Sequence, residues 1–196
     1  MEETMIANSL LAEGNNYRIK QVIERARAGE DVTIGFIGGS ITEGYNAGTT
    51  EIYAKLVYDY ICENYGTGDN VHYINAGLSG TPSSLGLLRS DRDLFTYEPD
   101  LIFIEFAVND RSYGSNDPLK HQTYMEAMVQ QSLKAEKVPA IMFLYSNHAY
   151  EGTDLENVEF SRKAKEELGW QAEYTIEDMC AHSWNWQSKN PQGYNG

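Results

Sequence analysis

Ser40 follows two glycines at the end of an apolar run, in Ile34-Gly-Phe-Ile-Gly38-Gly39-Ser40-Ile-Thr-Glu-Gly44. The glycines let the backbone turn tightly and approach a substrate, and a following helix would add oriented N–H groups beside the hydroxyl. Taken alone, the segment also reads as an ordinary polar strand end. It is not a dinucleotide fingerprint, because the spacing of Gly35, Gly38 and Gly39 is wrong and the next apolar segment ends in Asn75-Ala-Gly77, where an acidic residue should hold a ribose. No lysine follows the glycines, so it is not a P-loop either. Two further small or polar endings follow apolar runs, Asn109-Asp110 and Ser146-Asn-His148.

These endings need elements to hold them. Ile19, Val22, Ile23 and Ala26 fall at helical spacing and predict a helix over Tyr17 to Gly29, leading into a strand over Val32 to Ile37. Its unbroken apolar run is that of a strand covered on both faces. The pattern repeats: a helix over Glu51 to Tyr65 and a strand over Val71 to Asn75, then a helix over Ser83 to Tyr97 and a strand over Leu101 to Val108. After a polar loop come a helix over Pro118 to Lys137 and a strand over Val138 to Tyr145, with Pro139 at its start, where no ladder bond is lost. Such alternation predicts an α/β domain with a parallel sheet. Ligands bind such sheets outside the carboxyl ends of the strands, so the four endings should converge on one site.

Together the segments resemble the SGNH hydrolase superfamily, the GDSL esterases and lipases. Gly38-Gly39-Ser40-Ile41-Thr42 matches its first block, with Gly39 where the commoner signature has Asp, a variant typical of a carbohydrate-esterase-like branch. Asn75-Ala-Gly-Leu-Ser-Gly80-Thr81 matches the second block and Ile104-Glu-Phe-Ala-Val-Asn109-Asp110 the third. The resemblance spans residues from about 10 to 155. It implies a three-layer, flavodoxin-like parallel sheet and an esterase in which Ser40 is the nucleophile and Gly80 and Asn109 form the oxyanion hole, with no metal and no cofactor. Attack by Ser40 on an ester carbonyl would create an oxyanion that the N–H groups of Ser40 and Gly80 and the Asn109 amide could stabilise. Taken singly, Asn109-Asp110 reads as a turn and Gly80 as a tight bend before Pro82.

The family's fourth block, a C-terminal Asp-x-x-His that supplies the base, is missing after the fourth predicted strand. The alternation stops near Phe160, so the sheet is expected to lack its fifth strand. Thr175-x-x-Asp178 opens a helix through about Ser188, which Pro191 and Gly193 terminate. Residues from about 161 to 196, through Ser183-Trp-Asn-Trp and Asn190-Pro-Gln-Gly-Tyr194, resemble the C-terminal end of UDP-glucose 4-epimerases. The chain therefore reads as a chimera: a truncated hydrolase core over 1–159 and a helical tail of foreign origin over 160–196 that is not an independent domain. The epimerase fingerprint and its Tyr-Lys pair are absent.

The base must come from four histidines. His72 opens the second strand at the wrong end of the sheet, and His121 falls in a predicted surface helix, as structural or solvated residues. His148 follows the fourth strand on the correct edge. His182 stands four residues after Asp178, so carboxylate and imidazole could share a helix face, although an exposed structural pair has the same spacing. A chain with no base at all is the remaining option.

Among 196 residues, 15 are basic and 29 acidic, and the net charge of −14 repels phosphate backbones and anionic lipid. Cys62 and Cys180 are too few and too far apart for a disulfide framework or a cysteine zinc site. The acidic N-terminus has no secretory pattern and no apolar run would span a membrane, so a cytoplasmic protein is expected as the sequence stands. The expected partner is a small-molecule ester or acylated carbohydrate, neither nucleic acid nor membrane. A homo-oligomer is also expected, formed through the exposed sheet edge or the tail with its Trp170, Trp184 and Trp186. The leading function is hydrolysis of small acyl esters, with deacetylation of carbohydrate as one form. The alternatives are an impaired remnant that binds a ligand and, from the tail alone, a nucleotide-sugar enzyme.

Overall fold

The computed structural model describes residues 14–113 and 117–145. Helix α1 (Tyr17–Arg27) leads into β1 (Val32–Gly38), a short α2 (Ser40–Glu43) and α3 (Tyr53–Tyr65). Strand β2 (Val71–Gly77) is followed by α4 (Ser83–Asp93), a single 3₁₀ turn (Phe95–Tyr97) and β3 (Leu101–Glu105). Helix α5 (Ala107–Tyr113), α6 (Pro118–Lys134) and β4 (Ala140–Phe143) complete the described elements. The strands pair in the order β2-β1-β3-β4, all parallel.

Side-chain alternation along the central strands builds two cores, because successive residues of a strand point to opposite faces. Ile34 and Phe36 of β1 join Leu101 and Phe103 of β3 in one cluster, covered by Val22 and Ala26 of α1 and Ala54 and Ile61 of α3. Ile37, Ile102 and Ile104 face the other way, against Leu94, Phe106 and Met125 and Met128 of α6. Helices on both faces of a parallel sheet make the three-layer α/β fold that the strand pattern predicts. Both faces of β1 and β3 are buried, which is why their sequences are continuously apolar.

At the amino ends of the strands, buried Asp100 accepts the Thr33 N–H at 2.8 Å, pairs with Lys137 at 2.8 Å and is bonded by Arg25. At the carboxyl ends, Phe36 stacks on Phe103 with ring centroids 4.9 Å apart and meets Tyr53 and Tyr73 edge-on or tilted, a floor of aromatic rings under the loops.

Several expected boundaries shift, and three of the shifts are informative. Strand β3 stops at Glu105, and Ala107–Tyr113 is a helix where the apolar run implies strand and then polar loop. Phe106 and Ala107 are apolar because they are buried where the chain leaves the sheet; a short apolar run does not distinguish strand from buried helix. The helix from Ser83 ends at Asp93, with Glu98 in the left-handed region at φ 48° just before Pro99. Strand β4 is four residues long, with Pro139 immediately before it. Its pairing partner among the described strands is β3.

Candidate active site

Ser40 is the first residue of α2, a helix of four residues, and its side chain is half-buried. Among the described residues none hydrogen-bonds its Oγ. Several contacts hold the turn that carries it. The Gly38 carbonyl accepts the Leu78 N–H at 3.0 Å and Nη2 of buried Arg89 at 3.1 Å. Buried Thr42 bonds the Tyr53 hydroxyl at 2.9 Å through Oγ1, and its carbonyl accepts Nδ2 of Asn75 at 2.8 Å. Asn75 Oδ1 in turn accepts the Gly77 N–H at 2.8 Å. Glu43 reaches across to the second loop, where Oε2 accepts the Ser79 N–H at 3.0 Å and bonds the Ser79 hydroxyl. Polar residues that the sequence shows only as loop composition thus tie the ends of β1 and β2 together.

Gly80 lies beyond Ser79 in the left-handed region at φ 72°. A Cβ there would meet nothing within 4 Å, so glycine is required for its backbone conformation and not for space. No described residue accepts the Gly80 N–H. Gly39 is the opposite case: its φ is an ordinary −88°, but a Cβ would stand 2.0 Å from Asn109 Nδ2. The Asn109 amide occupies the space that any side chain at position 39 would need. Asn109 is buried on α5, and its Nδ2 donates to the Thr81 carbonyl at 2.9 Å, next in the chain after Gly80. The three strand-end segments are therefore in mutual contact, with Asn109 between the Ser40 turn and the Gly80 turn.

The structure adds residues that the sequence does not single out. Glu105, the last residue of β3, is buried and its Cα is in register with Gly38. Its charge adds to the burial that pushes the Tyr53 hydroxyl well above the usual tyrosine range, against the lowering effect of the Thr42 hydrogen bond. An acidic residue inside an otherwise apolar strand was the available signal.

His121 corrects an expectation. It lies on α6 but is buried, with Nδ1 donating to Asp110 Oδ2. His121, Met125, Met128 and Ser132 are the buried residues of that helix and share the inward stripe, so its face was readable from spacing once a polar residue was allowed on it. His72 is exposed and 2.9 Å from Asp31 at the amino ends of the strands, away from Ser40. His148, Asp178 and His182 lie outside the described residues. Among the described residues no cluster of His, Cys, Asp or Glu could hold a metal ion, and no helix is long and apolar enough to cross a membrane.

Comparison with known proteins agrees with this fold. An esterase of two domains active on acetylated mannans superposes with a TM-score of 0.67 and 33% identity, over 80% of this chain and 41% of that one. The lipase/acylhydrolase from Enterococcus faecalis superposes with a TM-score of 0.55 and 26% identity, over 69% of this chain and 70% of that one. UDP-glucose 4-epimerase 3 from Oryza sativa subsp. japonica is 66% identical over 32 residues, 16% of this chain and 9% of the epimerase. The chain thus spans less than half of the mannan esterase and about a tenth of the epimerase. The sequence profile of the GDSL-like Lipase/Acylhydrolase family matches residues 36–179, well over half of the chain, and includes all three strand-end segments. The chain belongs to the GDSL-like lipase/acylhydrolase family.

Proposed function

We propose that the chain is a serine esterase that hydrolyses small acyl esters, acetyl groups on carbohydrate among them, through an acyl-Ser40 intermediate. The observation that carries this reading is the seat of the Asn109 amide on Gly39, adjacent to Ser40 and hydrogen-bonded to the Gly80 turn. Ser40 Oγ attacks the carbonyl carbon as a base takes its proton, and the carbonyl electron pair moves onto oxygen. The N–H groups of Ser40 and Gly80 and the second Asn109 N–H donate hydrogen bonds to that oxyanion, each donor lowering the barrier by about 2.7–4 kcal/mol. Collapse expels the alcohol, which takes the proton from the base; water then repeats the steps, releasing the carboxylate and restoring Ser40. The acetylated mannans of the two-domain esterase support acetylated carbohydrate as the substrate class.

The base is His182 oriented by Asp178, or His148. Residues 1–159 form the hydrolase core in this reading and 160–196 the appended tail, which the short epimerase match supports, whereas the family profile runs on to residue 179. A second reading is an impaired member that binds its ligand without efficient turnover. Turnover of 4-nitrophenyl acetate that falls by orders of magnitude in Ser40→Ala supports the esterase; equal rates in parent and variant support the second reading. Absence of UDP or NAD binding in a titration disposes of a nucleotide-sugar activity.

The chain also self-associates in this reading, through β4 or the tail. Among the described strands β4 pairs with β3 alone; unpaired backbone groups on such an edge invite another strand, and three tryptophans in the tail add apolar area that a monomer rarely leaves exposed. Light scattering across a range of concentrations should show a dimer or larger; a single-chain mass throughout would refute it.

A further inference from the structure

We propose that Asp110 and His121 are positioning residues for the oxyanion hole, a buried carboxylate–imidazole pair that sets where the Gly80 N–H and the Asn109 amide point. The inference rests on the esterase reading for its consequence in catalysis. Its geometry stands on the structure alone.

Asn109 and Asp110 are neighbours on α5, and both grip the turn between β2 and α4. Asn109 Nδ2 donates to the Thr81 carbonyl at 2.9 Å, and Asp110 Oδ1 accepts the Ser83 N–H at 2.6 Å. Thr81 steadies the turn internally through Oγ1 to the Leu78 carbonyl at 2.7 Å. The second oxygen of Asp110 takes the Nδ1 hydrogen of His121 from α6. Both carboxylate oxygens are thus engaged, one by the first residue of α4 and the other by a helix in a different part of the chain. The grip is dry: Ser83 is 0%, Asp110 5% and His121 3% exposed. Bulk water does not reach these groups, so the loss of one bond is felt by the others.

The consequence is directional. An amide group has two N–H bonds in one plane, and fixing one on Thr81 fixes the heading of the other. Gly80 precedes Thr81, so its N–H moves with the same turn. Removing the His121 donor lets Asp110 rotate, frees the Ser83 N–H and loosens both oxyanion donors while leaving the Ser40 turn on its own contacts. Such a change weakens binding of the transition state and leaves substrate binding alone, so it lowers kcat and leaves KM unchanged. His121 is not the base in this reading: its Nδ1 hydrogen on Asp110 leaves Nε2 as the proton-accepting nitrogen, and Nε2 is buried and makes no hydrogen bond to Ser40.

The test compares the parent chain with His121→Ala and His121→Asn; the Asn amide nitrogen takes the place of Nδ1 and restores the donor. His121→Leu replaces His121→Ala if the latter does not fold. Amide hydrogen exchange by NMR and Ser40-dependent turnover of 4-nitrophenyl acetate are measured on each. The expected result for His121→Ala is faster exchange at Ser83 by about tenfold, with β1 and β3 amides unchanged, and kcat lowered by about tenfold or more at constant KM. His121→Asn should recover most of both. Unchanged Ser83 exchange in His121→Ala overturns the proposal. So does His121→Asn with restored exchange and no restored turnover, which would make the imidazole a base. If the parent shows no turnover beyond Ser40→Ala, the esterase reading has failed, and Ser83 exchange alone then decides whether the pair holds the turn.

Discussion

Asn109 Nδ2 stands 2.0 Å from the point where a Cβ on Gly39 would lie, so the donor from the third strand end and the residue before Ser40 share one space. Gly39→Ala must therefore displace the Asn109 amide, which Thr81 holds from the other side. Its cost to kcat should approach that of Asn109→Ala, about 10²–10³-fold for a lost oxyanion donor. In a double-mutant cycle the two losses should not add, because each removes the same group. Additive losses measured with 4-nitrophenyl acetate would place the effect of Gly39 elsewhere.

Tyr53 should give stability an alkaline limit. Burial raises its folded pKa above the ordinary 10.0, so the folded state favours the protonated hydroxyl. A pKa raised on folding contributes stability that is fully present below the unfolded value and lost as pH rises from there through the folded value. Urea melts at pH 8 and at about pH 10–11 should show a loss in the parent that is smaller in Tyr53→Phe. At neutral pH the same variant should lose about 1 kcal/mol with the Thr42 hydrogen bond.

Asp100 should matter more as a hydrogen-bond acceptor than as a charge. Its partners Arg25 and Lys137 have side chains 35% and 36% exposed and can return to water, so those ion pairs are screened. The Thr33 N–H at the start of β1 has less freedom to do so. Asp100→Ala should cost about 1–3 kcal/mol in chemical denaturation. Asp100→Asn, which keeps an acceptor, should recover most of it, and added salt should change little. A large salt dependence in the parent would reverse that ranking.

The base can be located by deletion. Ending the chain before residue 160 should abolish Ser40-dependent turnover if His182 serves with Asp178, and leave it intact if His148 serves. His148→Ala and His182→Ala separately should reproduce the same choice without shortening the chain. A Ser40-dependent rate indifferent to both would exclude both histidines.

The resemblance to a known family singled out Gly80 and Asn109 at the carboxyl ends of the strands, whereas the strands, their parallel arrangement and the convergence of those ends were legible in the sequence by itself. Those properties follow from local pattern: a strand buried on both faces must be apolar throughout, and a helix that covers it must repeat at its own period. Where local pattern is ambiguous it misled, as with the run from Leu101 to Val108, which crosses from β3 into α5. The partners of the polar residues follow from how the layers close on one another. Arg89 on the Gly38 carbonyl, Glu43 on Ser79, and His121 on Asp110 and through it Ser83 join groups from separate elements. Hydrogen bonding is directional and short in range, so which residues meet depends on how the closed layers place them, and a count of apolar spacings carries no trace of it. His121 shows the difference most plainly: the sequence reading makes it a surface residue although its spacing puts it on the inward stripe of α6, and nothing in the spacing pointed to Asp110 as its partner.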